Sequence, residues 1–332
     1  MEIKRNINHK NICKKLANKD LTSLSKAITL IESTNKNDRL LANKILSDLE
    51  NKNERNTIRI GITGVPGAGK STFIEKFGAN LTEMGKKVAV LTIDPSSSIS
   101  KGSILGDKTR MENLSQNKNV FIRPTPASNF QGGVAKNTRE TIFLCESAGY
   151  DIIIVETVGV GQNEIGVAEI VDFFLLLKIA GSGDELQGIK KGITEYADIF
   201  IVNKNDGDLA SQASKTASDY KSALSFYNKD SDALETQVVL VSSIENKGMD
   251  EVLDSYNKIV NVNKANNQFD KRRENQLVYW LEEEVRNKIL LKLSSEKETS
   301  ELLEREVRRI IGGETGFYTA SKVIIDRFLS KK

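Results

Sequence analysis

Histidine is nearly missing from this chain: one residue, His9, in 332, with cysteine at only two positions, Cys13 and Cys145. Zinc and nickel sites are built from imidazole and thiolate ligands, so the sequence gives no basis for a His/Cys metal centre. Two cysteines so far apart make no disulfide framework, and a reducing, cytoplasmic setting is expected. Excess charge of either sign is lacking too. With 48 Lys and Arg against 45 Asp and Glu, the balance of +3 is too small to make nucleic acid or an anionic membrane the main partner. No apolar run approaches the about 20 residues of a membrane span. The start, Met1-Glu2-Ile3-Lys4-Arg5-Asn6, leads into no secretory apolar segment, and the basic, polar first 15 residues lack the Arg/Ser bias of an organelle presequence. Internal repeats and low-complexity tracts are absent. What is present is 39% hydrophobic residues, enough for a sizeable core in one large α/β domain with appendages or in two modest domains.

One stretch, Gly64-Val65-Pro66-Gly67-Ala68-Gly69-Lys70-Ser71-Thr72, matches the phosphate-loop pattern G-x-x-x-x-G-K-[ST] without a mismatch. It has the required setting, with β-branched residues from Thr57 to Thr63 reading as a strand before it and Ser71 to Met84 reading as a helix after it. In such a loop glycines let successive amides point at phosphate oxygens, and the helix adds unpaired N–H groups and the positive end of its dipole. Lys70 is expected to bridge the outer phosphates and Ser71 to ligate magnesium.

Apolar runs then alternate with helix-compatible stretches: Lys87 to Ile93, Val120 to Pro124, Tyr150 to Glu156, Asp172 to Ile179, Ala197 to Asn203 and Gln237 to Ser242. Runs such as Ile152-Ile153-Ile154-Val155 are continuous, as expected of strands in a mainly parallel, doubly wound sheet covered on both faces. Upstream, Leu24, Ile28 and Ile31, then Leu41, Ile45 and Leu49, predict two amphipathic helices packed on the main domain or on a partner. From Asn263 the chain is densely charged, with Leu277, Trp280, Leu281, Val285, Ile289 and Leu290 at helical intervals. That tail reads as all-helical, either a solvated appendage or an arm for subunit contact.

Ligands of such sheets bind beyond the strands' carboxyl ends. There Asp94 begins Asp94-Pro95-Ser96, either a magnesium carboxylate or an Asp-Pro turn. Asp107 lies in a loop of glycine and small residues, Gly102 to Arg110, either a γ-phosphate switch or a plain surface loop. Glu156 opens Glu156-Thr157-Val158-Gly159-Val160-Gly161-Gln162, where an NTPase places its second metal-site carboxylate and a glycine, here Gly159, whose N–H reaches the γ-phosphate. Gln162 is a candidate for orienting water, with a surface glutamine as the alternative. Asn203-Lys204-Asn205-Asp206 is N-K-x-D, in which Asp206 accepts two hydrogen bonds from guanine and the Lys204 stem covers the base. Adenine offers neither donor in that arrangement. Ser242-Ser243, ending the last strand, is expected to aim a backbone N–H at the guanine carbonyl.

Assembled, these residues resemble the P-loop GTPases that accompany adenosylcobalamin-dependent acyl-CoA mutases, the MeaB/ArgK family and its mitochondrial methylmalonic aciduria type A counterpart. Ala27 to Ser33, Gly61 to Thr72, Gly102 to Met111, Glu156 to Gln162 and Gly183 to Gly192 carry the resemblance. It implies a SIMIBI-type P-loop fold, with a helical segment over residues 1–55, a GTPase domain over 56–262 and a helical dimerisation arm over 263–332. It further implies a homodimeric GTPase chaperone that gates cobalamin loading of the mutase and protects it. Ser71, Asp94, Asp107 and Glu156 would surround magnesium at different stages, and Lys70, Asp107 and Gln162 would serve hydrolysis. A further switch, containing Asp184, Glu185, Gln187 and Lys190, would report the nucleotide state to the mutase. Family members usually read Pro-Gly-x-Gly where this chain has Ala180-Gly181-Ser182-Gly183. The family's older label, a kinase or ATPase of basic amino-acid transport, conflicts with N-K-x-D. Two other readings compete: a metallochaperone GTPase for a nickel enzyme, which needs a Cys/His delivery motif absent here, and a nucleotide-binding module without turnover.

Overall fold

A computed structural model describes residues 8–50, 56–94, 110–126, 133–157, 159, 163–179, 193–227 and 236–330. The helices are α1 (His9–Ala17), α2 (Leu21–Glu32), α3 (Lys36–Glu50), α4 (Lys70–Glu83), α5 (Glu112–Ser115), α6 (Gly133–Ser147), α7 (Asn163–Ala168), α8 (Ala210–Tyr227), α9 (Met249–Ala265), α10 (Gln268–Ser295), α11 (Lys297–Ile311) and α12 (Phe317–Leu329). The strands are β1 (Ile58–Gly64), β2 (Val88–Asp94), β3 (Val120–Pro126), β4 (Ile152–Glu156), β5 (Phe173–Ile179), β6 (Ile199–Asn203) and β7 (Gln237–Leu240). Each of the seven apolar runs read from the sequence is a strand.

The strands form one sheet in the order β3-β2-β4-β1-β5-β6-β7, with every pairing parallel. Parallel neighbours need crossover connections, and these bring helices onto both faces. On one face Phe73, Phe77 and Leu81 of α4 and Tyr256 and Ile259 of α9 pack against Ile60, Ile62, Ile154 and Phe173. On the other, Ala213, Ala217 and Tyr220 of α8 cover Leu176, Phe200 and Val202. Alternate residues of β5 and β6 serve opposite faces, so Phe173 to Leu177 and Ile199 to Val202 are apolar without a break. The phosphate-loop strand β1 lies mid-sheet between β4 and β5, buried along its whole length.

Contacts divide the chain into two units, the first ending at Phe269 and the second beginning at Asp270. The N-terminal helices therefore group with the sheet, and the division falls at the start of α10, whereas the sequence reading began the arm at residue 263. Helices α1, α2 and α3 pack on α6. Arg39 donates to Glu140 of α6 at 2.7 Å and to the carbonyl of Ile31, while Arg123 of β3 pairs with Glu32. Burial raises the carboxyls of Glu32 and Glu140 above the usual range, and their arginine partners oppose the shift. Pairs this desolvated add little net stability but fix orientation, because either partner alone would be a buried, uncompensated charge. Helix α1 was not anticipated. It is capped by Asn8, whose side chain accepts from the Lys10 amide, and it buries Ile12, Cys13 and Leu16.

The second unit is all-helical, as the tail's spacing predicts. Its buried side chains include Thr299, Glu306 and Ala320, whereas Leu277, Leu281, Leu291, Ile311, Phe317 and Tyr318 are each at least 60% exposed. Glu306 is held by Arg309 at 3.0 Å. Apolar side chains outside and a charged one inside is the reverse of a self-sufficient core.

Candidate functional site

The phosphate loop leaves β1 at Gly64 and enters α4 at Lys70. A turn closed by the Ala68 amide on the Val65 carbonyl (3.1 Å) and by the Phe73 amide on Gly69 (2.9 Å) shapes it. The first turn of α4 leaves the amides of Ser71 and Thr72 without intrahelical partners, so they are presented at the loop. Gly69 is left-handed (φ 85°), and a Cβ there would lie 2.7 Å from the Asn203 side chain, so only glycine lets the two segments meet. Lys70 is 8% exposed and folds into the loop, its ammonium donating to the carbonyls of Gly64 (2.6 Å) and Val65 (3.3 Å). Burial lowers its pKa below the ordinary lysine range, against the pull of Glu156 and Glu164. Val65, Pro66 and Gly67 form the loop's exposed crest.

Strand β4 delivers Glu156 beside Ile62 of β1 and Thr92 of β2. The Ser71 hydroxyl donates to Glu156 Oε1 at 3.4 Å, so the two metal candidates converge. Asp94 ends β2 two residues beyond Thr92, at the same edge of the sheet; its side chain lies outside the described residues. Gly159, three residues past Glu156 and at φ 79°, comes so close to Gly64 that an added Cβ would sit 1.9 Å from its carbonyl oxygen. Backbone lies on both sides of that contact. Gly159→Ala is therefore expected to displace the turn by about an ångström and to slow single-turnover GTP hydrolysis about a hundredfold; a rate within twofold of the parent would show that the turn tolerates the methyl.

Asn203 ties the end of β6 to the phosphate loop. Its Nδ2 donates to the Ala68 carbonyl at 2.9 Å, and its Oδ1 accepts from the Ser243 amide (3.1 Å) and hydroxyl (2.9 Å). Lys204 follows in a left-handed conformation (φ 64°), and the Asn205 amide donates to Val241 at 3.0 Å. Together they turn the chain so that Asp206, half-exposed, meets the Ser242 hydroxyl, which donates to its Oδ2. The Ser242 amide pairs with the Lys247 carbonyl and the Ser243 amide with Asn203. Asn203 acts as a clasp between two loops.

Asp107, Gln162, Asp184, Glu185, Gln187 and Lys190 lie outside the described residues. Sequence reasoning also missed the pairing of Thr157 with Thr63, both buried, whose hydroxyls are 2.6 Å apart. Only the register of β1 against β4 reveals it.

The family model for methylmalonyl-CoA mutase-associated GTPase MeaB matches residues 24–298, spanning the phosphate loop, the Glu156 turn and the N-K-x-D strand. The chain belongs to the MeaB family. Among its relatives, the mitochondrial methylmalonic aciduria type A homolog of Mus musculus is 40% identical over 317 residues, covering 93% of this chain and 76% of the mouse protein. GTPase ArgK of Escherichia coli is 43% identical over 277 residues, 83% of each chain. A crystal structure of an LAO/AO transport system kinase superposes with a TM-score of 0.75 at 32% identity, covering 97% of this chain and 99% of that one. This chain is accordingly a MeaB-family GTPase with a P-loop fold. The Asn203 clasp puts Asp206 of the N-K-x-D segment and Lys70 of the phosphate loop on one connected set of loops.

Proposed function

We propose that this GTPase serves an adenosylcobalamin-dependent acyl-CoA mutase of the methylmalonyl-CoA type, gating the loading of its cobalamin and protecting it from inactivation. The match to the mutase-associated family across residues 24–298 is the observation that carries the proposal. The close approach of Gly159 to the Gly64 carbonyl supports it, because a segment so near the phosphate loop would shift when a γ-phosphate is lost. Cys13 and Cys145 are both buried thiols outside any disulfide, in keeping with a cytoplasmic protein.

Magnesium suits the donors present. Among the described residues no three His, Cys, Asp or Glu side chains gather as a ligand set. Magnesium keeps most of its waters and needs only one or two protein ligands beside phosphate oxygens. Ser71 and Glu156 would hold it, with Asp94 and Asp107 as the further carboxylates. When bound it would neutralise charge on the phosphates. The chain's own part is positioning: loop amides and Lys70 fix the phosphates, Asp206 fixes the base, and the Glu156–Gly159 turn closes over the γ-phosphate. The exposed apolar side chains of α10 to α12 favour a homodimer built through the second unit.

The test is co-elution of the full chain with purified methylmalonyl-CoA mutase from the same host, in GDP and in a non-hydrolysable GTP analogue, followed by cobalamin transfer into the mutase. A complex whose cofactor uptake differs between the two nucleotides is expected. No co-elution with either nucleotide would refute the mutase proposal and leave the GTPase assignment standing.

A further inference from the structure

Thr63 and Thr157 each lie close in sequence to one of the two glycines, Gly64 and Gly159, whose backbones meet. Thr63 is the last residue of β1 before Gly64, whose carbonyl receives Lys70 and supports Gly159. Thr157 follows Glu156, and its amide, donating to the Ile62 carbonyl at 2.9 Å, extends the parallel pairing one residue past β4. Its hydroxyl then donates to Thr63 Oγ1 at 2.6 Å, with the two side chains 1% and 0% exposed. A single residue separates Thr157 from Gly159, whose backbone lies against the Gly64 carbonyl.

We infer that this hydroxyl pair fixes where the Gly159 backbone sits against Gly64, making Thr157 and Thr63 positioning residues for GTP hydrolysis. A buried hydrogen bond is directional, whereas valine fills the same volume and fixes no direction. Nucleotide affinity rests on the phosphate-loop amides, Lys70 and Asp206, none of which the pair touches. Hydrolysis would also need Gly159 in register with the terminal phosphate, and phosphoryl transfer is chiefly a matter of placement. The pair should therefore govern rate far more than binding. The inference rests on the GTP hydrolysis of the family and not on the mutase proposal, so a failed mutase interaction leaves it intact.

Four variants of the full chain test it: Thr157→Val, Thr63→Val, the double Val variant and Thr157→Ser. Each is read by thermal melting, fluorescent GDP affinity and single-turnover GTP hydrolysis beside the parent. Each single Val variant is expected to keep GDP affinity within about threefold and to slow hydrolysis about tenfold, the loss of one oriented hydrogen bond. The double variant leaves no buried hydroxyl unpaired, so it should melt near the parent yet hydrolyse no faster than the slower single. Thr157→Ser, which keeps the donor, should stay within about threefold of the parent rate. Should the single variants fail to fold, the double variant carries the test. Parent-like hydrolysis in the double variant would overturn the inference, showing a pair that serves packing alone; so would GDP affinity falling in step with rate. A parent that releases no phosphate would sink the GTPase assignment itself.

Discussion

Lys70→Ala is expected to abolish tight GTP binding while leaving the protein folded. The ammonium is buried and donates to the Gly64 and Val65 carbonyls at 2.6 and 3.3 Å, so it already lies within the loop that receives the phosphates. Its pKa is lowered by burial, with Glu156 and Glu164 acting in opposition. Each charge-assisted hydrogen bond to a phosphate oxygen contributes about 1.5–3 kcal/mol, so losing two weakens GTP binding about 10²- to 10⁴-fold. Alanine is the strongest helix former and sits here in the first turn of α4, so the melting temperature should shift by only a few degrees. Arginine is no substitute, because its planar fork cannot occupy the niche of a compact ammonium. Titration with a fluorescent GTP analogue is the measurement, and equal affinity in variant and parent would refute the role of Lys70.

Asp206→Asn has the second largest expected effect, and it falls on base choice. Asp206 Oδ2 accepts from the Ser242 hydroxyl, which in turn accepts from the Glu245 amide at 3.1 Å. Asparagine keeps an acceptor for Ser242, so the loop survives. Its amide nitrogen, however, turns a donor toward the guanine amine, itself a donor. Loss of one to two charged hydrogen bonds at about 1.5 kcal/mol each lowers the preference for GTP over ATP by about tenfold to a hundredfold. Competition of GTP and ATP against fluorescent GDP reads this directly. An unchanged preference would place base recognition elsewhere.

The fold and the centre of the site were legible because their signals are local. Continuous apolar runs such as Phe173 to Leu177 are strands under helices on both faces, and Gly64 to Ser71 carries its backbone demands in its glycines. What escaped depends on register. That Ile62 lies opposite Glu156 is invisible until β1 and β4 are paired, and with it the bond between Thr63 and Thr157. The amides of Ser242 and Ser243 could not be assigned without the Ser242–Lys247 bridge and the reach of Asn203 across to Ala68. Helix α1 escaped for another reason: its three buried apolar side chains lie among lysines and asparagines, and packing on α2 and α3 outweighs weak propensity.

The central claim is that separated loops, joined through Asn203, grip one guanine nucleotide at the carboxyl edge of the sheet. Initial rates of phosphate release from GTP and from ATP, each with magnesium and each below saturation, test it most directly. The account predicts GTP turnover at least about tenfold faster than ATP turnover, reflecting the hydrogen bonds that only guanine offers Asp206. Release from ATP at the same rate as from GTP would contradict it.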